Sequence, residues 1–238
     1  MNIDVNKRDW VNTERPKQVR KIGTTRRSVS GFFMFRGEKS IPYESTLERD
    51  FLVRLSQSRF VSDIIAQPIQ LKYLCNNGNY YPYTPDYLVY YHIGKDETWE
   101  NATPPLLVEV KPRNELRDKW ADMKPKFRTA LQYAKEQGWR FKIYDEFRIR
   151  DQKWENIMFL VRYKRMGFPI EDSQWIIDNL KCMGQATLDY LVTRHFFGKH
   201  ERAVGISHVW HLLYTGKIEC DLSLPLNNST VLWVPTYE

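Results

Sequence analysis

The sequence is poor in the features that mark several common protein classes. Its three cysteines, Cys75, Cys182 and Cys220, are odd in number and far apart, so they suggest neither a disulfide framework nor a zinc-ligand spacing. No apolar run approaches the roughly 20 residues of a membrane span. The first residues also lack the apolar core of a signal peptide. These absences predict a reduced, cytoplasmic setting and no membrane partner.

Motifs of several enzyme classes are missing as well. The chain has no glycine-rich phosphate loop and no serine nucleophile elbow, so kinase, NTPase and serine hydrolase functions find no support. Its five histidines make no convincing metal cluster. The sequence shows no internal repeat and no low-complexity block.

Positive charge is present in excess and is unevenly placed. The 238 residues hold 36 Lys and Arg against 29 Asp and Glu, a net charge of +7. Residues 1–40 contain ten basic and four acidic side chains, which accounts for most of that surplus. A basic arm beside a near-neutral body favours a polyanion such as nucleic acid, although a solvated tail has the same composition. The DNA-contact candidates are Arg15, Lys17, Arg20, Lys21, Arg26 and Arg27.

A helix followed by strands is predicted after this arm, which we assign to residues 1–42. Ser45-Thr46-Leu47-Glu48 is a capping box, and the helix it begins should end near residues 56–58. A strand region over 61–74 leads to the hairpin turn Asn76-Asn77-Gly78-Asn79. The strands around Asp86 and Glu109 then complete a three-strand meander.

A long apolar stripe predicts the next helix. Its members are spaced 4, 3, 4, 4 and 3 residues apart, from Leu116 to Ala134, and Pro125 should kink or divide it near Lys124. The strand over 141–144 should lie parallel to the Glu109 strand because a helix connects them. With a further helix over 151–164, residues 43–166 form an α/β core.

The last part of the chain, residues 167–238, is predicted to be a mostly helical, winged-helix-like domain. Its boundary is placed at Gly167-Phe168-Pro169, followed by three short helices and a closing hairpin. The third helix would be the recognition helix if this domain touches DNA, whereas docking of a partner protein is supported equally. That helix carries Arg202, Ser207, His208 and His211, and the two histidines, which lie beside Trp210, are better explained as packing or contact residues than as metal ligands.

Two predicted strands carry the candidate active site. Successive side chains of a strand point to opposite faces, so Glu109 and Lys111 must share a face. Together with Asp86 they supply two carboxylates and an amine, which can hold Mg²⁺ and activate a water. The Val110 carbonyl can complete the site, and Glu48 can bring a third carboxylate from the helix.

Each of these residues also has a purely structural interpretation. Asp86 follows a proline and can simply begin a strand. Glu109 and Lys111 can pair with each other, which would relieve the cost of placing charges in an apolar strand. The capping box alone explains Glu48, and Glu44 competes with it for the role of the helix carboxylate.

The arrangement resembles the PD-(D/E)xK nucleases and, more narrowly, the TnsA endonucleases of heteromeric transposases. The resemblance covers about residues 20–165. The motifs that carry it are Tyr-Glu-Ser-Thr-Leu-Glu-Arg-Asp-Phe at 43–51, Gln-Pro at 67–68, Thr-Pro-Asp-Tyr at 84–87 and Val-Glu-Val-Lys-Pro at 108–112. Some members of the family have Gln where this chain has Glu109, so the acid implies a fuller set of metal ligands.

The resemblance implies a restriction-endonuclease-like mixed-sheet core and a Mg²⁺-dependent DNA endonuclease, with Mn²⁺ able to substitute. It implies cleavage of double-stranded DNA at the 5′ ends of a transposon, beside a DDE-type transposase subunit (TnsB) and an AAA+ regulator (TnsC). DNA-bound protein would be associated with the bacterial nucleoid. A stand-alone restriction or repair endonuclease and a non-catalytic DNA-binding adaptor stay as alternatives. The active-site set carried over by position is Glu48, Asp86, Glu109 and Lys111.

Overall fold

The computed structural model describes residues 14–20, 29–94 and 101–236. The chain divides into two compact units, Met1–Ile149 and Arg150–Glu238. No helix of the described residues is long and apolar enough to cross a membrane.

A four-stranded mixed sheet forms the centre of the first unit. Its strand order is β3-β6-β7-β8, with β7 and β8 parallel and the other neighbours antiparallel. Two hairpins, β1-β2 and β4-β5, stand beside it as separate two-stranded sheets. The hairpin turn, the parallel strand and the antiparallel order of the three meander strands are confirmed. The predicted strand region over 61–74 is instead two strands, and the hairpin turn joins the second of them to a strand outside the central sheet. The strands are β1 (Gly31–Phe35), β2 (Lys39–Tyr43), β3 (Val61–Ala66), β4 (Leu71–Leu74), β5 (Tyr80–Tyr83), β6 (Tyr87–Tyr91), β7 (Leu106–Val110) and β8 (Arg140–Tyr144).

Both faces of the central sheet are buried because alternate side chains enter different cores. Val108 and Val110 of β7 pack in a core with the first helix and with Phe35 and Ile41 of the β1-β2 hairpin. Leu107 packs on the other side with Phe127 and its helix. Residues 31–42, predicted as part of a basic arm, are therefore partly core. Burying one large apolar side chain contributes about 1.5–3 kcal/mol.

Four helices flank this sheet: α1 (Thr46–Ser56), α2 (Arg113–Asp118), α3 (Trp120–Glu136) and α4 (Glu146–Ile149). Ser45 caps α1 as predicted, since its side chain accepts the N–H of Glu48. The predicted break near Lys124 is wrong, because the chain turns at Lys119 and Pro125 lies inside α3.

Pro125 is tolerated inside α3 because the carbonyl it leaves without a partner is satisfied from elsewhere. In a regular helix the N–H of residue 125 would bond the carbonyl of Ala121, and proline has no N–H. The side-chain amide of Asn76 donates to that carbonyl at 3.3 Å. The proline therefore does not divide the helix at the expected place.

The second unit is mostly helical, with a small antiparallel sheet of order β10-β11-β9. Asp151 and Thr187 cap two of its helices by accepting the N–H of Trp154 and of Tyr190. The winged-helix character stays a prediction. Its elements are α5 (Gln152–Leu160), α6 (Ile170–Met183), β9 (Gln185–Thr187), α7 (Leu188–His195), α8 (Lys199–Tyr214), β10 (Glu219–Cys220) and β11 (Val231–Trp233), with one 3₁₀ turn over Val161–Tyr163.

The division between the units falls earlier than the predicted boundary at residues 166 and 167. Helix α5 belongs to the second unit, where Leu160 and Tyr163 enter the same core as Trp210. The apolar face of α5 was visible in the sequence. Which core would receive it depends on contacts with residues far along the chain.

Candidate active site

The backbone places Asp86 at the edge where β6 enters the sheet. Its N–H donates to the Val108 carbonyl at 3.0 Å, and its own carbonyl accepts the N–H of Gln67 at 2.7 Å. One carboxylate oxygen, Oδ2, accepts the N–H of Val110 at 2.7 Å. Asp86 is thereby fixed beside the end of β7.

Glu109 lies on the face of β7 that is turned toward α3, and only 1% of it is exposed. Tyr83 donates its hydroxyl to Oε2 at 2.7 Å. The Lys126 ammonium lies 3.2 Å from Oε1, and the Lys111 ammonium lies 3.7 Å from the same oxygen. Glu109 and Lys111 therefore share a side of the strand, as the alternation predicts, and the pair is part of a larger network.

Glu48 reaches the site from the first turn of α1. Its Oε2 accepts the N–H of Glu44 at 2.9 Å, its Oε1 accepts the Ser45 hydroxyl at 2.9 Å, and the Tyr87 hydroxyl lies 3.2 Å from Oε2. The Glu44 side chain instead pairs with Arg20. Of the two candidates, Glu48 is the helix carboxylate whose charge acts on Asp86.

Burial and the neighbouring carboxylates raise the proton affinity of Asp86. Burial raises the pKa of Asp86 well above its usual range, and the charges of Glu109 and Glu48 raise it further, whereas Lys111 and the Val110 N–H lower it. Burial also raises the pKa of Glu48, partly offset by the hydrogen bonds from Glu44 and Ser45. The site thus concentrates negative charge that its own lysines do not fully balance.

Lys111 is a cation in this environment. Burial alone would lower its pKa, but the neighbouring charges of Asp86 and Glu109 outweigh that effect and raise the pKa above its ordinary value. A lysine that holds its proton this firmly cannot take one from water near neutral pH. Of the roles open to Lys111, charge stabilisation and water orientation fit better than proton removal.

The donor chemistry of the site suits a hard divalent cation. Asp86 and Glu109 offer carboxylate oxygens, which Mg²⁺ prefers, and a bound cation would offset both effects that raise the pKa of Asp86, its burial and the charge of Glu109. Within the described ranges, no group of three or more His, Cys, Asp and Glu side chains is arranged to hold a metal as it stands. Glu48 is held in place by the hydrogen bonds that it accepts from Glu44 and Ser45.

Two residues of the network were missed in the sequence. Tyr83 ends β5 and donates to Glu109, and Lys126 of α3 also lies over the Tyr83 ring, 5.0 Å from its centre. Lys126 is adjacent to Phe127 of the apolar stripe, and this position only weakly indicates that its side chain is turned toward the sheet. Nothing local to Tyr83 indicated its partner 26 residues away.

Three of the six predicted DNA contacts in the basic arm, Arg15, Lys17 and Arg20, lie among the described residues. Arg15 pairs with Asp63 at 3.3 Å and lies over the Tyr90 ring at 4.5 Å, and Arg20 pairs with Glu44. Exposed ion pairs of this kind contribute about 0–1 kcal/mol, so they do not prevent an exchange for phosphate. Lys17 is exposed. Lys21, Arg26 and Arg27 lie outside the described residues.

The predicted recognition helix exists as α8, but its proposed reading face is largely engaged within the second unit. His208 is 1% exposed and shares a 2.7 Å hydrogen bond with Ser173. His211 Nδ1 lies 2.9 Å from the Tyr163 carbonyl, and Arg202 bonds Thr193 at 2.8 Å. Ser207 donates to the Ala203 carbonyl of its own helix. His208 is buried, so it is a packing residue of the second unit, which is one of the two roles that the sequence left open for it.

Two protein-family models match the chain. The model described as TnsA-like endonuclease N terminal matches residues 58–146, and the one described as TnsA endonuclease C terminal matches residues 148–222. The first range contains Asp86 and Lys111, whereas Glu48 precedes it. No curated protein sequence matches the chain. The mixed sheet and these matches confirm the α/β class with a restriction-endonuclease-like core.

Proposed function

Because the chain belongs to the TnsA endonuclease family and is a nuclease subunit of a Tn7-like transposase, we propose that it cuts DNA at the 5′ ends of the transposon in a Mg²⁺-dependent reaction. Its partners in Tn7-type transposition are DNA and other Tns proteins. Its partner in cutting would be the DDE-type subunit TnsB, which would cut and join the 3′ ends. The AAA+ protein TnsC would regulate both subunits. Mn²⁺ would substitute for Mg²⁺.

The observation that carries this proposal is the convergence of Asp86, Glu109 and Lys111 at the ends of two strands. Asp86 and Glu109, with the Val110 carbonyl, would hold the cation, and Glu48 would add negative charge from α1. When bound, a divalent cation polarises the phosphate and lowers the pKa of a bound water. Lys111 would hold its proton, orient the attacking water and stabilise the charge that develops on the phosphate, leaving a 5′-phosphate and a 3′-hydroxyl.

The test is cleavage of end-labelled transposon-end DNA in the presence of the partner transposase. We expect Asp86→Asn and Lys111→Met to lower the rate of 5′-end cleavage by at least about 100-fold while retaining DNA and partner binding. Asp122→Asn and Lys124→Met, which change exposed residues of α3, serve as matched controls. Cleavage at the wild-type rate by Asp86→Asn, or undiminished cutting in excess chelator, would refute the proposal.

The same experiment separates the two alternatives. A stand-alone restriction or repair nuclease would cut the DNA at full rate without its partner. A non-catalytic adaptor would bind DNA, and the complex would lose no 5′-end cleavage when Asp86 or Lys111 is changed. Membership of an endonuclease family favours neither alternative over a transposase subunit.

A further inference from the structure

We propose that an open groove beside the active site binds a short single-stranded segment of the cut DNA strand, with one base stacked on an aromatic side chain. The groove has a volume of about 610 Å³ and lies between α2, the start of α3 and α4. This inference rests on the proposed nuclease function, and it names the part of the substrate that the core holds next to the scissile phosphate.

Two aromatic side chains of the groove, Trp120 and Phe147, are exposed to solvent. Trp120 is 46% exposed and Phe147 is 67% exposed. The Trp120 ring is supported by Phe127, whose centroid lies 5.9 Å away, and the Arg113 guanidinium lies 4.9 Å from the centre of the Phe147 ring. Exposed aromatic surface held in a fixed orientation is the platform on which unpaired bases stack.

Arginines alternate with these rings. Arg113, Arg117 and Arg148 line the groove, and Asp145 is the acidic residue of the lining. Outside the lining, Asp118 pairs with Arg117 at 2.9 Å, and Glu146 accepts the backbone N–H of Arg113 at 2.8 Å. Asp145 caps α4 by accepting the backbone N–H of Arg148 at 3.0 Å, so its oxygen is turned to the helix end. Guanidinium groups bind phosphate through paired N–H donors and stack on bases, so three arginines in one lining favour a polyanion. The exposed pair of Arg117 with Asp118 contributes about 0–1 kcal/mol, so phosphate can replace it.

The groove begins close to the predicted chemistry. Arg113 follows Lys111 by two residues, so their Cα atoms are at most about 7.6 Å apart. Along one DNA strand a phosphate occurs about every 3.4 Å of helix axis. A strand whose scissile phosphate lies at Lys111 therefore brings its next phosphates within reach of the arginines.

The two aromatic rings favour single-stranded DNA over duplex DNA as the occupant of the groove. Arginines alone would grip the backbone of a duplex, whose bases are stacked on one another and present no free face. Trp120 and Phe147 offer stacking surface that an unpaired base can use. The occupant is accordingly a splayed strand end, of the kind that cleavage produces.

Binding without cleavage tests this assignment. The probes are a blunt duplex and the same duplex with a single-stranded extension of about five nucleotides, measured by fluorescence anisotropy without Mg²⁺. We expect the wild-type chain to prefer the extended probe, and Trp120→Ala and Phe147→Ala to reduce that preference at least about fivefold. Arg117→Gln should weaken binding of the extended probe and lower the slope of log affinity against log salt by about one.

Two further variants keep the result interpretable. Trp175→Ala removes an exposed tryptophan of α6 in the second unit and should leave the preference unchanged. Trp120→Phe keeps a ring at the groove, so it should retain most of the preference even where Trp120→Ala unfolds. An equal affinity of the wild type for both probes, or unchanged preference in the ring variants, overturns the groove assignment.

The outcome for the groove is distinguishable from the outcome for the proposed function. If ring variants bind both probes as the wild type does and the complex still cuts transposon ends, the groove assignment fails and the function stands. If the ring variants lose the partner transposase subunit but not DNA, the groove binds protein and our assignment is wrong. If the wild-type complex does not cut at all, the proposed function itself fails.

Discussion

The Lys126 ammonium lies 3.2 Å from Glu109 Oε1, in a position where α3 covers the sheet. Glu109 is buried, so removing this partner leaves its charge with Lys111, at 3.7 Å, as the remaining cation within 4 Å among the described residues. We expect Lys126→Met to lower the free energy of unfolding by about 1–3 kcal/mol in the absence of metal. Urea unfolding with and without Mg²⁺ measures the effect.

Mg²⁺ should stabilise Lys126→Met more than it stabilises the wild type. The ammonium of Lys126 and a divalent cation would compete for the same carboxylate, and the variant removes that competition. Lys124→Met, on an exposed position of the same helix, should behave as the wild type does. Equal stabilisation of both proteins by Mg²⁺ would show that Lys126 and the metal do not compete for Glu109.

Lys111 should be replaceable in part by arginine. Its pKa is raised, so the side chain supplies a positive charge and hydrogen bonds, and arginine keeps both. We expect Lys111→Arg to retain at least about tenfold more cleavage activity than Lys111→Met, measured under single-turnover conditions with the partner subunit. Equally low activity of the two variants would contradict a role that needs only a positive charge and hydrogen bonds at this position.

Glu48 has two functions that different substitutions separate. Glu48→Gln keeps an acceptor oxygen for the Glu44 N–H and can donate its amide to the Ser45 hydroxyl oxygen, so it should cost little stability, but it removes the charge beside Asp86. Ser45→Ala removes the cap of α1 and should lower the free energy of unfolding by about 1 kcal/mol.

Cleavage rates of these two variants, compared at a temperature where both are folded, decide the role of Glu48. We expect Glu48→Gln to cut at least about tenfold more slowly than Ser45→Ala. If Glu48→Gln cuts as fast as the wild type, Glu48 is a capping residue and nothing more.

Local patterns were sufficient to predict the elements that carry the site. The capping box at Ser45 fixes where α1 begins, and the alternation around Glu109 puts its side chain and that of Lys111 on one side of β7. The helix between β7 and β8 requires a crossover, which makes those strands parallel. Each of these signals lies within a few residues of the feature that it predicts.

Features that depend on distant contacts were not predictable in this way. Asn76 satisfies the carbonyl of Ala121 from 45 residues away, which lets Pro125 remain inside α3. The register of α3 on the sheet, which brings Lys126 to Glu109, also follows from packing of the whole core. A periodic sequence shows that a helix has an apolar face, but it does not show what that face will contact.

Acid should destabilise the second unit through His208. Burial, with a smaller contribution from His211, lowers the pKa of His208 from 6.5 to about 4, although Asp172 acts in the opposite direction. Ser173 donates its one proton to the Pro169 carbonyl at 3.0 Å, so it accepts from Nε2–H of a neutral His208. The Phe168 ring, stacked at 4.2 Å, covers the imidazole.

Because the folded-state pKa lies below the unfolded value of 6.5, the unfolded chain binds the proton more tightly, and stability falls as the pH drops from about 6.5 toward 4. We expect a loss of about 1–3 kcal/mol over this interval, measured by urea unfolding at several pH values. His208→Gln should flatten this part of the profile, whereas His200→Gln, exposed at the start of the same helix, should not. A wild-type profile that matches that of His208→Gln would show that His208 does not titrate with unfolding.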